Sequence, residues 1–183
     1  SAVAVLPLVA LWTASPALAH WLSAPATTRT RRLPAARLAQ AKRYALAHWR
    51  YFERFVSAET AWLAPDNFQE DPAPVVAMRT SPTNIGLQLL STVSACDLGF
   101  IPLERMVERL EAAFASLARM RRLRGHFYNW YDLPTLRVLE PAYVSTVDSG
   151  NLAGHLIALR QACLGFAESA TDSALAARLR ALS

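Results

Sequence analysis

The eight residues 125–132, GHFYNWYD, combine aromatic rings with polar groups in a way that suits a carbohydrate. Sugar rings present C–H faces that stack on aromatic side chains, and sugar hydroxyls need paired donors and acceptors because unpaired buried polar groups are costly. A core helix would space its aromatics three and four residues apart, whereas this run is continuous and opens on a glycine. The pattern predicts a loop that lines a cleft. A loop that plugs one end of a helical bundle is the alternative.

Three further polar segments could border the same cleft. They are DNFQEDP from residue 66, RTSPTNIG from residue 79 and VSTVDSGN from residue 144. Short connections favour antiparallel neighbouring helices, and the direction of the predicted helices then places all four segments at one end. We therefore expect one polar and aromatic rim, with ordinary turns at the other helix ends.

Several polar residues of this rim also fit purely structural roles. Ser81 before Pro82 is a typical helix start, so Thr80, Ser81 and Asn84 could simply cap a helix, and Asp148 could cap another. Arg79 fits an ion pair with a loop carboxylate as well as a donor to a sugar hydroxyl.

The sequence does not identify catalytic residues. Glycoside chemistry needs two carboxylates at a defined separation, and six rim carboxylates are available. A triad of Ser145, His126 and Asp148 lacks a nucleophile elbow. His155 has no second ligand at metal-binding spacing, so no metal site is expected. The six rim carboxylates are Asp66, Glu70, Asp71, Asp132, Glu140 and Asp148.

Helices must position these segments. Apolar spacing predicts a helix over 35–57, and Ser81-Pro82 begins a second helix that ends with Gly99 as its C-cap. A third covers 102–121 and is closed by Gly125. Another long helix starts near Asp148, and a short one covers 172–182. In the third helix, one face is predicted to be solvated, comprising Glu104, Arg105, Glu108, Arg109 and Glu111. No segment alternates as a strand would, so the chain is predicted to be all-α.

The first 28 residues carry no formal charge, and residues 2–22 are apolar enough to cross a bilayer as a helix. The basic residues that follow, from Arg29 onward, would be cytoplasmic by the positive-inside rule. Two alternatives stay open. ASPALA before His20 resembles a signal-peptidase site, although the basic leading region is missing, and a buried core helix would also be apolar.

Composition excludes some classes of protein. The chain is 53% hydrophobic and only 18% charged, which argues against disorder. Its net charge of +5 arises mainly from residues 29–54 and 119–124, and these stretches contain no nucleic-acid-binding motif. We therefore expect no nucleic-acid partner.

Four strings in order resemble the cyclic beta-1,2-glucan synthases over roughly residues 35–168. They are PDNFQE at 65–70, RTSPTNIGL at 79–87, GHFYNWYD at 125–132 and the segment 139–159. One departure is Gln88, where an aromatic residue is expected. The resemblance implies a position at the junction between the membrane glycosyltransferase region and the central glycoamylase-like region of a very large inner-membrane protein.

The resemblance also implies a fold and a domain layout. The fold is part of an (α/α) toroid of paired antiparallel helices, preceded by a transmembrane helix. Residues 1–28 would form that helix, 29–34 a basic linker, 35–168 the partial toroid and 169–183 a short helical tail. The substrate-binding residues that it implies are Arg79, Thr80, Ser81, Asn84, Tyr128, Asn129, Trp130, Asp148 and Asn151.

The implied function is that of a fragment of a synthase that makes and cyclises beta-1,2-glucan by transglycosylation. Its partners would be linear beta-1,2-glucan, the bacterial inner membrane and the remaining regions of the polypeptide. UDP-glucose would be the donor for the whole protein, with no cofactor in this fragment, which alone would be inactive. A membrane-tethered carbohydrate-binding module without catalysis, or a secreted endo-glucanase with a cleaved leader, would also fit the residues.

Overall fold

The computed structural model describes residues 2–23 and 33–183, and the chain divides into two compact units, residues 1–38 and 39–183. In the first unit, helix α1 covers Ala2–Ser23 and contains Pro7 and Pro16. From Val5 to Ser23 it is long and apolar enough to cross a membrane, and its residues are exposed. This exposure disfavours the core-helix alternative, while a membrane helix and a signal sequence both fit. The predicted linker 29–34 lies mostly outside the described residues.

Helices dominate the rest of the chain, as predicted. Within the described residues they are α2 (Ala35–Phe55), α3 (Pro82–Asp97), α4 (Leu103–Arg119), α5 (Thr146–Ser169) and α6 (Ser173–Ala181), with a 3-10 turn at Ala58–Thr60.

The helix boundaries follow from local capping chemistry. The Ser81 hydroxyl accepts from Asn84 N at 3.2 Å, and Pro82 occupies the first turn, as predicted. Gly99 follows the end of α3 with φ of 77°, a conformation in which glycine avoids the steric cost of a side chain. At α5 the cap is Ser145, whose hydroxyl accepts from Asp148 N at 3.1 Å. The expectation that Asp148 itself caps this helix was therefore wrong.

Short antiparallel strand pairs connect the helices, which the sequence did not reveal because two residues are too few to show alternation. The predicted helix end at Gly125 was also wrong. Helix α4 ends at Arg119, and Arg124 and Gly125 form a two-residue hairpin loop with φ of 50° and 88°, as a type I′ turn requires. The pairs are β1 (Phe68–Gln69) with β2 (Val75–Val76), β3 (Arg79–Thr80) with β6 (Tyr131–Asp132), and β4 (Arg122–Leu123) with β5 (His126–Phe127).

The core lies where α3 packs against α4 and α5, with α6 covering both α4 and α5. Helices α3 and α5 pack closely at Gly86, where an added Cβ would lie 2.3 Å from His155 Nδ1. Glycine is therefore required there by space. The fully buried side chains of this core include Ile85, Leu89, Met106, Leu110, Tyr131, Leu159 and Leu179.

Arg109 was predicted to be solvated but is only 6% exposed. Its Nη2 donates to the carbonyls of Phe52 at 2.9 Å and Val56 at 3.3 Å, and its guanidinium lies over the Trp49 ring. A cation at the end of α2 gives the last carbonyls of the helix a charged donor and complements the helix dipole. Burial lowers the pKa of Arg109.

Gln88, the position where an aromatic residue was expected, anchors the loop after α2. Its Oε1 accepts from Ala64 N at 2.7 Å and its Nε2 donates to Trp62 O at 2.8 Å. Ala61 and Trp62 have positive φ, a strained conformation for residues with side chains. The buried Gln88 amide therefore helps to hold a loop whose backbone would otherwise relax.

Candidate functional site

The polar segments meet through the short sheet formed by β3 and β6. Its register pairs Arg79 with Asp132 and Thr80 with Tyr131. RTSPTNIG and GHFYNWYD are therefore adjacent at one end of the helices, as predicted from helix direction alone. We call the outer surface that they form with residues 66 and 143–151 the rim.

Arg79 is held on two sides. Its Nε and Nη2 donate to Asp66 Oδ2 at 3.1 and 2.9 Å, and its guanidinium carbon lies 4.6 Å from the centroid of the Trp130 ring. Asp66 Oδ1 accepts from Asn84 Nδ2 at 3.2 Å, which fixes the carboxylate in turn. Because the Arg79 side chain is still 50% exposed, this pair keeps a rigid guanidinium at the surface. The predicted ion pair with a loop carboxylate is present.

Asn129 lies beneath the rim and joins its aromatic residues. In the amide orientation that satisfies its neighbours, its nitrogen donates to Asp148 Oδ2 at 2.9 Å. Its oxygen then accepts from Trp130 Nε1 at 2.6 Å and from the Tyr143 hydroxyl at 2.7 Å. The backbone N–H of Asn129 donates to Tyr143 O at 2.9 Å. A single buried amide therefore fixes two rings and contacts the first turn of α5.

The other oxygen of Asp148 ties α5 to α3. Asp148 Oδ1 accepts from the Thr83 hydroxyl at 2.6 Å, and the same hydroxyl oxygen accepts from Asn151 Nδ2 at 3.1 Å. Two of the residues predicted for the site, Asp148 and Asn151, are thus joined to the start of α3 through a threonine.

The predicted site residues fall into two layers. Accessible side chains, exposed or half-buried, belong to Arg79, Asn84, Trp130, Asp148 and Asn151. Buried side chains belong to Thr80, Ser81, Tyr128 and Asn129. The outer layer can meet a ligand directly, whereas the inner layer acts through its contacts within the domain.

Both interpretations of GHFYNWYD apply, each to different residues. Tyr131 is buried, and its hydroxyl accepts from Tyr128 N at 2.8 Å and donates to Arg121 O at 2.6 Å. Burial raises the pKa of Tyr131. Tyr128 is only 6% exposed, so these two rings plug the end of the bundle. Trp130 is half-buried, and its ring contacts Arg79 at the rim.

A comparison of sequences decides what the chain is related to. No family model matches it. Over 165 residues it is 49% identical to Cyclic beta-(1,2)-glucan synthase NdvB of Rhizobium meliloti (strain 1021). The chain is homologous to a segment of this synthase. The matched residues are 90% of the chain and 6% of the synthase, so the chain spans only a small part of its relative.

Solved structures confirm the glucoamylase-like fold of the glucan synthase homologue. A beta-1,2-glucanase from Parabacteroides distasonis matches with a TM-score of 0.60 and 18% identity, over 77% of this chain and 19% of that one. An endo-beta-1,2-glucanase from Chitinophaga pinensis matches with a TM-score of 0.58 and 18% identity, over 82% of this chain and 36% of that one. A candidate glucoamylase from Bacteroides fragilis NCTC 9343 matches with a TM-score of 0.59 and 19% sequence identity. The match covers 86% of this chain and 37% of the glucoamylase.

Sequence reasoning missed two residues of the rim and assigned no definite role to a third. Tyr143 is 48% exposed and held by Asn129, and Thr83 joins α3 to α5. Asp66 was one of six candidate carboxylates. The available signal for Tyr143 was its place inside the string 139–159 shared with the synthases. Thr83 carried no signal beyond its position between Ser81 and Asn84.

Three of the six candidate carboxylates in this synthase homologue, Asp66, Asp132 and Asp148, are held by internal contacts. Asp66 is paired with Arg79, Asp148 accepts through both oxygens, and Asp132 Oδ2 accepts from the backbone N–H and the hydroxyl of Thr135. Across residues 2–23 and 33–183, no cluster of three or more His, Cys, Asp or Glu side chains could hold a metal. The arrangement suits stacking and hydrogen bonding to a polyhydroxylated ligand.

Proposed function

We propose that this chain is a segment of a cyclic beta-1,2-glucan synthase that supplies membrane attachment and part of the surface binding linear beta-1,2-glucan. Two findings support the proposal: the 49% identity to the synthase and the convergence of four polar segments on one rim. The complete protein would extend the glucan and cyclise it by transglycosylation. In this proposal the segment alone is inactive and takes no cofactor, and UDP-glucose serves another region.

The geometry of Arg79 is the observation that carries the proposed glucan binding. Asp66 occupies Nε and Nη2, while Nη1 makes no hydrogen bond within the described residues. The Nη1 N–H groups can therefore donate to sugar hydroxyls without first breaking an internal bond. The rings of Trp130 and Tyr143 offer apolar surface nearby for the C–H faces of glucose units. A guanidinium that is already oriented loses little conformational entropy when it binds.

Membrane attachment is proposed to come from α1. Its span from Val5 to Ser23 has the length and hydropathy of a transmembrane helix. The cluster of arginines that starts at Arg29 would keep the following residues in the cytoplasm of a bacterium, on the inner face of the inner membrane.

The binding proposal is tested by measuring the affinity of the full-length polypeptide for linear beta-1,2-glucan. Arg79→Ala should weaken binding about 10- to 100-fold, because hydrogen bonds from charged groups are each worth roughly 1.5–3 kcal/mol. Arg79→Lys should also weaken binding, since an ammonium cannot reproduce the planar fork. The matched control is Arg105→Ala, which removes an exposed arginine of α4 that forms an ion pair with Glu108.

The control should bind as the wild type does. Unchanged affinity in Arg79→Ala, or equal losses in Arg79→Ala and Arg105→Ala, would contradict the proposed rim.

A second function is a membrane-tethered carbohydrate-binding module without catalysis. The occupied state of Asp66, Asp132 and Asp148 favours it, because a general acid or nucleophile must have an oxygen available to substrate. The two functions differ in the fate of the ligand. Incubating linear beta-1,2-glucan with the full-length polypeptide and separating products by size gives cyclic glucan in the first case and unchanged linear glucan in the second.

A further inference from the structure

We propose that Asp148 is a positioning residue, which fixes the Trp130 and Tyr143 rings at the rim through Asn129 and does not itself contact glucan. The inference rests on the proposed function, because it assigns how the glucan-binding surface is held. It also changes the role that the family resemblance implied for Asp148.

The donor and acceptor types in this chain of contacts permit only one arrangement. An ionised carboxylate can only accept, and an indole Nε1–H can only donate. The Asn129 amide between Asp148 and Trp130 must therefore turn its nitrogen to Asp148 and its oxygen to Trp130, as the distances of 2.9 and 2.6 Å require. The Tyr143 hydroxyl then donates to the same oxygen. The carboxylate thus sets the amide orientation, and the amide sets both rings.

Asp148 has no remaining role that needs it at the surface. Its Oδ2 is taken by Asn129 and its Oδ1 by Thr83 at 2.6 Å. The start of α5 is capped by Ser145, so Asp148 is not needed as the cap. Both oxygens are therefore held by internal bonds, and these orient the carboxylate toward Asn129 and Thr83.

Removal of this carboxylate would release the Asn129 amide. With nothing to hold its nitrogen, the amide loses one of the bonds that fix it, and its oxygen is then less firmly directed toward Trp130 Nε1 and the Tyr143 hydroxyl. The Trp130 ring would then leave its position under Arg79, although Asp148 touches neither residue. Loss of the bond should cost about 3- to 10-fold in glucan affinity, as expected for one net hydrogen bond.

A double-mutant cycle separates positioning from direct contact. In the full-length polypeptide, Asp148→Ala should weaken binding of linear beta-1,2-glucan about 3- to 10-fold. In the background Trp130→Phe with Tyr143→Phe, which keeps an aromatic ring at both positions but removes the two donors, Asp148→Ala should cause no further loss. An equal loss in both backgrounds would overturn the inference, because it would show that Asp148 acts on glucan directly.

A second measurement does not depend on glucan. The Trp130 indole N–H, assigned in ¹H–¹⁵N spectra by its absence in Trp130→Phe, should exchange with solvent about 3- to 10-fold faster in both Asp148→Ala and Asn129→Ala. Ser145→Ala is the control, since it weakens the start of α5 without touching the carboxylate. Unchanged exchange in Asp148→Ala would overturn the positioning role. If instead exchange accelerates but the wild type binds no glucan, the proposed function fails and the positioning role stands.

Discussion

Gly86→Ala should destabilise the protein, although alanine is the better helix former. Within α3 the substitution favours the helix by about 1 kcal/mol. Against this, the new Cβ would lie 2.3 Å from His155 Nδ1, 2.9 Å from its Cγ and 3.1 Å from its Cβ. Rotation of the imidazole can relieve the first two contacts, but the Cβ of His155 is attached to the backbone of α5. The two helices must therefore separate.

The expected magnitude follows from these opposing terms. Overpacking of a well-packed core costs roughly 1–3 kcal/mol, and the remaining contact of 3.1 Å with the His155 Cβ can be relieved only by a shift of the helices. After subtraction of the gain in helix propensity, we expect a net loss of up to about 2 kcal/mol in the free energy of unfolding. Gly154→Ala provides the matched control, because its added Cβ meets nothing within 4 Å. It should instead be neutral or more stable by up to about 1 kcal/mol.

The assay is urea unfolding of both variants in detergent micelles, followed by the helical circular dichroism signal. Combining Gly86→Ala with His155→Ala should recover part of the loss, since the smaller side chain makes room for the methyl group. If Gly86→Ala proves as stable as Gly154→Ala, the close approach of α3 and α5 described above is incorrect.

Two further predictions concern charged residues. Arg109→Met should lower the free energy of unfolding by about 2–3 kcal/mol in the same urea assay, because two carbonyls at the end of α2 lose a charged donor. The control Arg105→Met should leave the free energy of unfolding unchanged. The hydrogen bond from Arg178 lowers the pKa of Glu111. The ionised carboxylate therefore stabilises the folded protein above its unfolded pKa, and this contribution disappears as the pH falls through the folded pKa. Glu111→Gln should therefore make the acid side of the stability–pH profile slightly shallower, and an identical profile would show that the pair contributes nothing.

The helices could be predicted from the sequence because their signals are local. Ser81 followed by Pro82 marks the start of α3, and Gly99 marks its end, so these boundaries agree with the structure. The direction of each helix then followed, and with it the convergence of the polar segments on one rim. The hairpin at Arg124 and Gly125 could not be found in this way, because strands of two residues carry no periodic signal.

The division of the site into an outer and an inner layer could not be predicted. Tyr128 and Trp130 have similar aromatic character and lie two residues apart, yet one ring enters the core and the other reaches the rim. That difference is set by contacts distant in sequence, such as that of the Trp130 ring with Arg79. For the same reason the solvated face predicted for α4 included Arg109, whose partners lie in α2.

The layered arrangement means that buried residues shape the rim as well as exposed ones. A ring that stacks on a sugar must be held at a fixed angle, and surface residues alone do not supply that constraint. Here the buried Asn129, together with the half-buried Asp148 and Thr83, holds the residues that are exposed at the rim, and each of the three also joins two elements of the fold. The proposed glucan-binding surface would therefore depend on residues that make no contact with glucan. A substitution in the inner layer should reduce affinity and stability together, whereas a substitution of the exposed Arg79 should reduce affinity with little effect on stability.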